Sequence, residues 1–214
     1  MGSQKPRNGS AESICRILDT EAEVFSVSGF AGARMDEIAD RAGVNKATIY
    51  YHIGNKQSLY ARVLREHFFS AVDRFDQSLA AADSPQDKLS SFIRQIAHEM
   101  THAPQKATMM LREAMDGGKN IPDSLGHDLA GIIDRLTCIL TDGEKQGSFI
   151  HVNPITIHFL VLGALAFYRI SAPVREKIFQ ALSPQKPTDS DPDGEFVSEI
   201  ECLILRSLSP KLQP

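Results

Sequence analysis

Between Met35 and Lys56 the chain reads MDEIADRAGVNKATIYYHIGNK, two short helix-forming stretches divided by one glycine. Few segments restrict a fold as tightly. Ile38, Ala39, Gly43, Val44 and Ile49 fall where a helix-turn-helix needs apolar, small, turn-forming, apolar and apolar residues. Ala39 must be small because the second helix crosses closely over the first, and Gly43 takes the left-handed conformation that ends the first helix without a Cβ clash.

Asn45 is a good N-cap for the second helix, and Lys46 to Ile53 follow without a breaker. At about 100° per residue, Ile49 and Ile53 share the inward face. Ala47, Thr48, Tyr51 and His52 then point outward, with Lys46 and Tyr50 on the flanks. A merely solvated face would carry Lys and Glu. Two tyrosines, a histidine and a threonine suit a major groove, where hydroxyls and ring edges meet phosphates and bases, and Ala47 or the Thr48 methyl meets a thymine methyl. The bland alternative for Tyr50 is packing on the helix that follows.

On these residues the chain resembles the tetracycline-repressor family of bacterial transcriptional regulators. The match runs through Ala22, Phe25, Gly29 and Phe30, then IADRAGV, then TIYYH, and ends at GNK. The resemblance implies DNA contacts at Lys46, Thr48, Tyr50, Tyr51, His52 and Lys56, with Arg34 and Met35 at the start of the first motif helix, beside the Ala47 that helix phase already turns outward. One departure stands out: the family's Thr or Ser before that helix is replaced by Ala33 and Arg34. The missing cap costs about 1 kcal/mol, and Arg34 can replace the hydroxyl contact to phosphate with a charge-assisted one.

Charge refines this picture. The 214 residues carry a formal net charge of −4, but through Ser70 nine Lys and Arg face eight Asp and Glu, so the acidity lies in the rest. A mildly basic head binds DNA through placed contacts rather than a broad field, and two heads in a dimer would help. No stretch reaches the roughly 18–20 apolar residues of a membrane span, the nearest being Phe159 to Tyr168, so no membrane partner is expected. MGSQKPRNGS lacks the apolar run of a signal peptide and reads as a disordered arm over residues 1–10. Cys15, Cys138 and Cys202 are far apart and suggest neither a disulfide framework nor a zinc knuckle. The expected location is the bacterial cytoplasm, at the nucleoid.

The fold class expected is all-α, about nine helices without a period-2 strand pattern. Residues 11–54 form a three-helix DNA-binding domain and 55–214 an effector-binding and dimerisation domain. Ile14, Ile17, Leu18, Ala22 and Phe25 make a stripe that packs on the motif. A long helix from Asn55 to about Ala82 links the domains, carrying Leu59, Val63 and Phe68. Further helices are predicted over 86–102, 105–116, 124–146, 154–182 and 194–208, with breaks at Pro85, Pro104, Gly117-Gly118, Pro122, Gly147 and Pro154. Pro173 kinks or divides the penultimate one. SPQKPTDSDPDG, before the last helix, reads as a mobile polar loop.

A competing motif, HEMTH, places His98, Glu99 and His102 in the HExxH spacing of zinc metalloproteases. Helix phase argues against it, because Leu89, Phe92, Ile93, Ile96 and Met100 define the buried stripe and both histidines fall opposite. An adventitious metal at the pair is a weaker alternative to two exposed histidines. There is no GxSxG, GxxxxGK[ST] or GxGxxG, so no enzyme, no catalytic residue, no cofactor and no resident metal are expected.

Met100, Met109, Met110 and Met115 cluster on two neighbouring helices. Flexible thioethers beside aromatic rings make an adaptable apolar cavity, or simply a core. The family resemblance implies an effector pocket here, for a mostly apolar small molecule, with Phe92, Ile96, Met100, Met109, Met110, Glu113, Phe159 and Phe167 as candidate lining. Glu113 reads as a pocket anchor or, beside Arg112, as a solvated salt bridge. Phe159, Leu162, Ala166, Phe196, Ile200, Leu203 and Ile204 form stripes in excess of one interior contact, as a homodimer four-helix bundle requires. Two recognition helices about 34 Å apart would read a pseudo-palindromic operator in double-stranded DNA. The function expected is a repressor released by its effector; the alternatives are a DNA-binding adapter without effector and a zinc hydrolase built on HEMTH.

Overall fold

The computed structural model describes residues 8–182 and 192–210, the side chains of residues 8–16, 19, 67–75, 78, 106 and 192–193 excepted. Ten helices and no strand occur among them: α1 (Asn8–Gly32), α2 (Met35–Ala42), α3 (Lys46–His52), α4 (Lys56–Ala80), α5 (Pro85–His102), α6 (Pro104–Met115), α7 (Asp123–Lys145), α8 (Pro154–Ile170), α9 (Ala172–Leu182) and α10 (Pro192–Leu208). The predicted breaks hold because proline and glycine act locally. Pro104 and Pro154 open α6 and α8 at their first positions, where a missing N–H costs nothing. Pro173 divides the expected helix over 154–182: α9 leaves α8 at 69°. No single helix is long and apolar enough to cross a membrane.

The expected arm over residues 1–10 overlaps α1, which begins at Asn8. Residues 1–7 and the polar loop over 183–191 lie outside the described residues, as do the side chains of Ile14, Cys15 and Phe68.

Two compact units divide the chain: residues up to Ser70 with Ala103–His127, and Ala71–His102 with Asp128 onward. The predicted boundary after residue 54 therefore does not match the packing. The first half of α4 and all of α6 belong with the N-terminal helices, because Leu59, Tyr60, Val63 and Met109 are buried there. In this first unit α1 packs on α2 and α6, around Ile17, Phe25, Ile38 and Ile49. Phe25 and Phe30 meet the Tyr60 ring edge-on, with centroids at 4.7 and 5.1 Å. In the second unit α5 packs on α8 and α10, around Leu89, Phe92, Val161 and Ile204.

Candidate nucleic-acid interface

The recognition surface is set by four local devices. Arg34 precedes α2 in extended conformation (φ −117°, ψ 133°) and its side chain makes no cap, as the missing hydroxyl predicts. Gly43 closes α2 in the left-handed region (φ 63°, ψ 36°), its N–H bonded to the Asp40 carbonyl at 3.2 Å. Asn45 then caps α3, its Oδ1 accepting from the Ala47 N–H at 2.8 Å. Asn55 does the same for α4, accepting from the Ser58 N–H at 2.9 Å. Only seven residues long, α3 is held to the unit by the buried Ile49. A helix that short depends on such packing rather than on its own propensity.

Tyr51 is 85% exposed, beside the exposed Tyr50 and Ala47 and the half-buried Thr48 and His52. The Tyr51 and His52 rings meet edge-to-face at 4.9 Å. A phenol kept in water on a capped helix is an available donor and acceptor for phosphates and base edges. Tyr50, half exposed, does not pack away on the next helix as the bland reading had it.

Three other predicted contacts are placed differently. Met35 is only 7% exposed and belongs to the core; the first residue of a helix crossing so closely over its neighbour turns its side chain inward. Lys46 Nζ pairs with Asp36 Oδ1 at 2.7 Å. Their hydrogen bond holds the ammonium above its ordinary range and the carboxyl below its own, so both stay charged and Lys46 reaches a phosphate only by sharing Asp36. Lys56 donates to the Ala31 carbonyl at 3.2 Å and lies 4.8 Å from the Phe30 ring centroid, tying α4 to the end of α1. Asp36 has no signal in the sequence, since its partner lies across the turn.

The predicted cavity residues are not gathered in either unit. Phe92, Ile96 and Met100 are buried in the second, and Met109 and Glu113 in the first beside a half-buried Met110. Glu113 is a buried anchor, not a solvated salt bridge: Tyr60 and Asn120 donate to it. Phe159 and Phe167 are 63% and 68% exposed, and Met115 is exposed too. Of the predicted dimer residues, Phe159 and Leu203 are exposed and Leu162, Phe196 and Ile200 half-buried, whereas Ala166 and Ile204 sit in the unit's own core. They fall on the inner side of α8 and α10, where these helices meet each other and α5.

The second unit holds a groove of about 480 Å³ lined by Leu79, Ala80, Lys88, Arg135, Ile139 and Asp142, none of them predicted. Across it Arg135 donates to both carboxylate oxygens of Asp76 at 2.6 Å. Its lining residues come from three helices far apart in sequence, so no motif announces it. His158 was also missed: it is buried beside Phe92 at 6.3 Å, its Nδ1 without a partner, and burial lowers its pKa. The HEMTH histidines stack on the exposed side of α5 at 3.8 Å, while Glu99 turns inward to accept from Gln95 at 2.7 Å. Among the described residues no group of three or more His, Cys, Asp or Glu is arranged to hold a metal ion.

A left-handed glycine between two helices, a capped second helix and a hydroxyl-rich outer face define a helix-turn-helix protein of the DNA-reading class. Residues 17–63 match the model of bacterial regulatory proteins of the tetR family, and residues 85–190 that of the tetracycline-repressor-like C-terminal domain. The chain belongs to this family of bacterial transcriptional regulators. It is 25% identical over 198 residues to the HTH-type transcriptional regulator RutR of Escherichia coli K12, covering 91% of this chain and 90% of that protein. It is 27% identical over 199 residues to the transcriptional repressor NicS of Pseudomonas putida, covering 90% of each. Over 49% of this chain and 46% of the relative it is 34% identical to the transcriptional activator FasR of Mycolicibacterium smegmatis. In fold it is similar to Bacillus subtilis FadR solved with stearoyl-CoA, with a TM-score of 0.68, 18% identity and coverage of 94% and 100% of the two chains. A HlyIIR mutant gives a TM-score of 0.69 at 20% identity, covering 96% and 98%.

Proposed function

We propose that this protein is a repressor that binds a pseudo-palindromic operator as a homodimer and leaves it when a small, largely apolar molecule enters its second unit. The observation that carries the reading is Tyr51, 85% exposed on a capped, glycine-aligned recognition helix. Arg34, Ala47, Thr48, Tyr50 and His52 complete the DNA-facing set. Lys46 and Lys56 act as secondary contacts, each shared with a group of the protein itself.

Dimerisation is supported by the outer face of α8, where Phe159, Leu160 and Phe167 stand in water, and by the exposed Leu203 of α10. Pairing these helices across a two-fold axis removes that surface from water, and a pseudo-palindrome read in successive major grooves requires two recognition helices about 34 Å apart. An apolar effector is supported by the buried Phe92, Ile96 and Met100 and by the unpartnered Nδ1 of His158, a lone polar handle in an apolar setting. The stearoyl chain of the ligand solved with the similarly folded FadR is apolar in the same way, although its CoA half is polar and anionic. Moving the operator from 99:1 to 1:99 occupancy requires about 5.5 kcal/mol of differential binding. Repression is favoured by NicS, while FasR is an activator, so the sign is tested with the operator in hand.

The test is selection of binding sites from random duplex DNA at two salt concentrations, with Tyr51→Ala beside wild type. An enriched pseudo-palindrome lost in the variant supports the reading. Binding that is salt-sensitive but indifferent to the substitution sinks it.

A further inference from the structure

Because the first unit is built from two separated stretches, the chain passes between the units three times: in α4 after Ser70, before Ala103, and in α7 after His127. Inside the first unit one buried carboxyl group joins α4, α6 and the turn that precedes α7. Glu113, on α6, is 1% exposed. Its Oε1 accepts from the Tyr60 hydroxyl of α4 at 2.9 Å and from Asn120 Nδ2 at 3.0 Å, and its Oε2 accepts from the Asn120 N–H at 3.1 Å. The turn that brings Asn120 back is made by Gly117 and Gly118, both in the left-handed region (φ 79° and 72°), with the Gly118 N–H on the Glu113 carbonyl at 2.7 Å. Burial and the bond to Glu113 push the Tyr60 hydroxyl well above its ordinary pKa, so it remains a donor.

Packing alone does not require this arrangement. Met109 already buries α6 in the unit, and an apolar side chain in place of Glu113 would avoid the desolvation of a carboxyl group. A fully satisfied buried network fixes one relative geometry of the elements it joins. We infer that Tyr60, Glu113 and Asn120 are positioning residues, a latch that makes α4 and the 103–120 segment move as one body with the DNA-reading helices. This rests on DNA being the partner of α3. Coupling between binding events is reciprocal, so a latch that carries a signal toward DNA also carries the effect of DNA back to α6.

Amide hydrogen exchange of the full chain, free and bound to the enriched duplex, tests the latch in wild type and Tyr60→Phe, which keeps the ring against Phe25 and Phe30. In wild type the duplex is expected to slow exchange over 45–53 and also over 103–120, the latter by about tenfold, the scale of one hydrogen bond. Tyr60→Phe is expected to keep the protection over 45–53 and lose that over 103–120. A residue that only stabilises the fold would leave the duplex-induced change intact. Asn120→Ala, which spares the backbone bond, is expected to lose part of the protection and serves if Tyr60→Phe does not fold. No duplex-induced change over 103–120 in wild type, or the full change in the variants, overturns the latch. Absence of protection over 45–53 brings down the DNA-binding reading itself, and the latch with it.

Discussion

Glu21 is 0% exposed on α1, and neither of its oxygens has a hydrogen-bond partner. Its neighbours Arg62 and Glu66 pair with each other at 3.0 Å on α4 instead. Burial raises the Glu21 pKa from 4.5 to about 9, opposed by Arg62 and reinforced by Glu66. The folded protein therefore keeps this proton up to about pH 9, while the unfolded chain releases it near 4.5. Where the folded state binds more protons than the unfolded one, stability falls as pH rises. Its ionisation thus adds no cost below the unfolded pKa and progressively more between it and the folded one. At pH 7 the difference from acid conditions is about 3 kcal/mol, at roughly 1.4 kcal/mol per pH unit. Glu21→Gln keeps the shape and a polar end but cannot ionise, so its own desolvation is the same at every pH. Urea unfolding at pH 5, 6, 7 and 8, at one protein concentration because a dimer's stability depends on it, is expected to show Glu21→Gln gaining on wild type with each step. Glu21→Met, apolar and of similar volume, is expected to be the more stable at pH 7. Parallel curves for wild type and Glu21→Gln would refute the reasoning and mean that Glu21 is already ionised, with an unseen partner.

Gly143→Ala would drive a Cβ into the buried Phe149 ring, and thermal unfolding is expected to report a loss of about 2 kcal/mol. His158 is held below its ordinary 6.5 by burial, so its contribution is present above that value and lost as pH falls; His158→Phe is expected to flatten the acid limb of a stability profile measured from pH 7 to 5. Asn45→Ala removes the α3 cap and is expected to cost about 1 kcal/mol, with weaker operator binding in a salt titration. Phe159→Glu puts a charge on the exposed face of α8 and is expected to give monomers in sedimentation, whereas a dimer that persists would move the interface elsewhere.

What the sequence by itself determined was local. Gly43 had to be left-handed, Asn45 had to cap, and Pro104, Pro154 and Pro173 had to begin or divide helices, because each effect acts within a turn of its own backbone. The outward face of α3 followed from the spacing of Ile49 and Ile53, although α3 ends at His52 and only Ile49 is buried, Ile53 being half-buried beyond the helix end. Only the tertiary structure decided matters that depend on partners distant in the chain. Met35 lies inward although it begins a motif helix. Lys46 is shared with Asp36 across the turn. Phe159 and Phe167 face water although their helix is apolar nearly all round, since which side is covered depends on where α5 and α10 lie. Glu113 had two readings while its partners were unknown; Tyr60, far earlier in the chain, settles it as an anchor. The same distance hid the membership of α6 in the DNA-reading unit, because periodicity tells which face of a helix is buried but not against what.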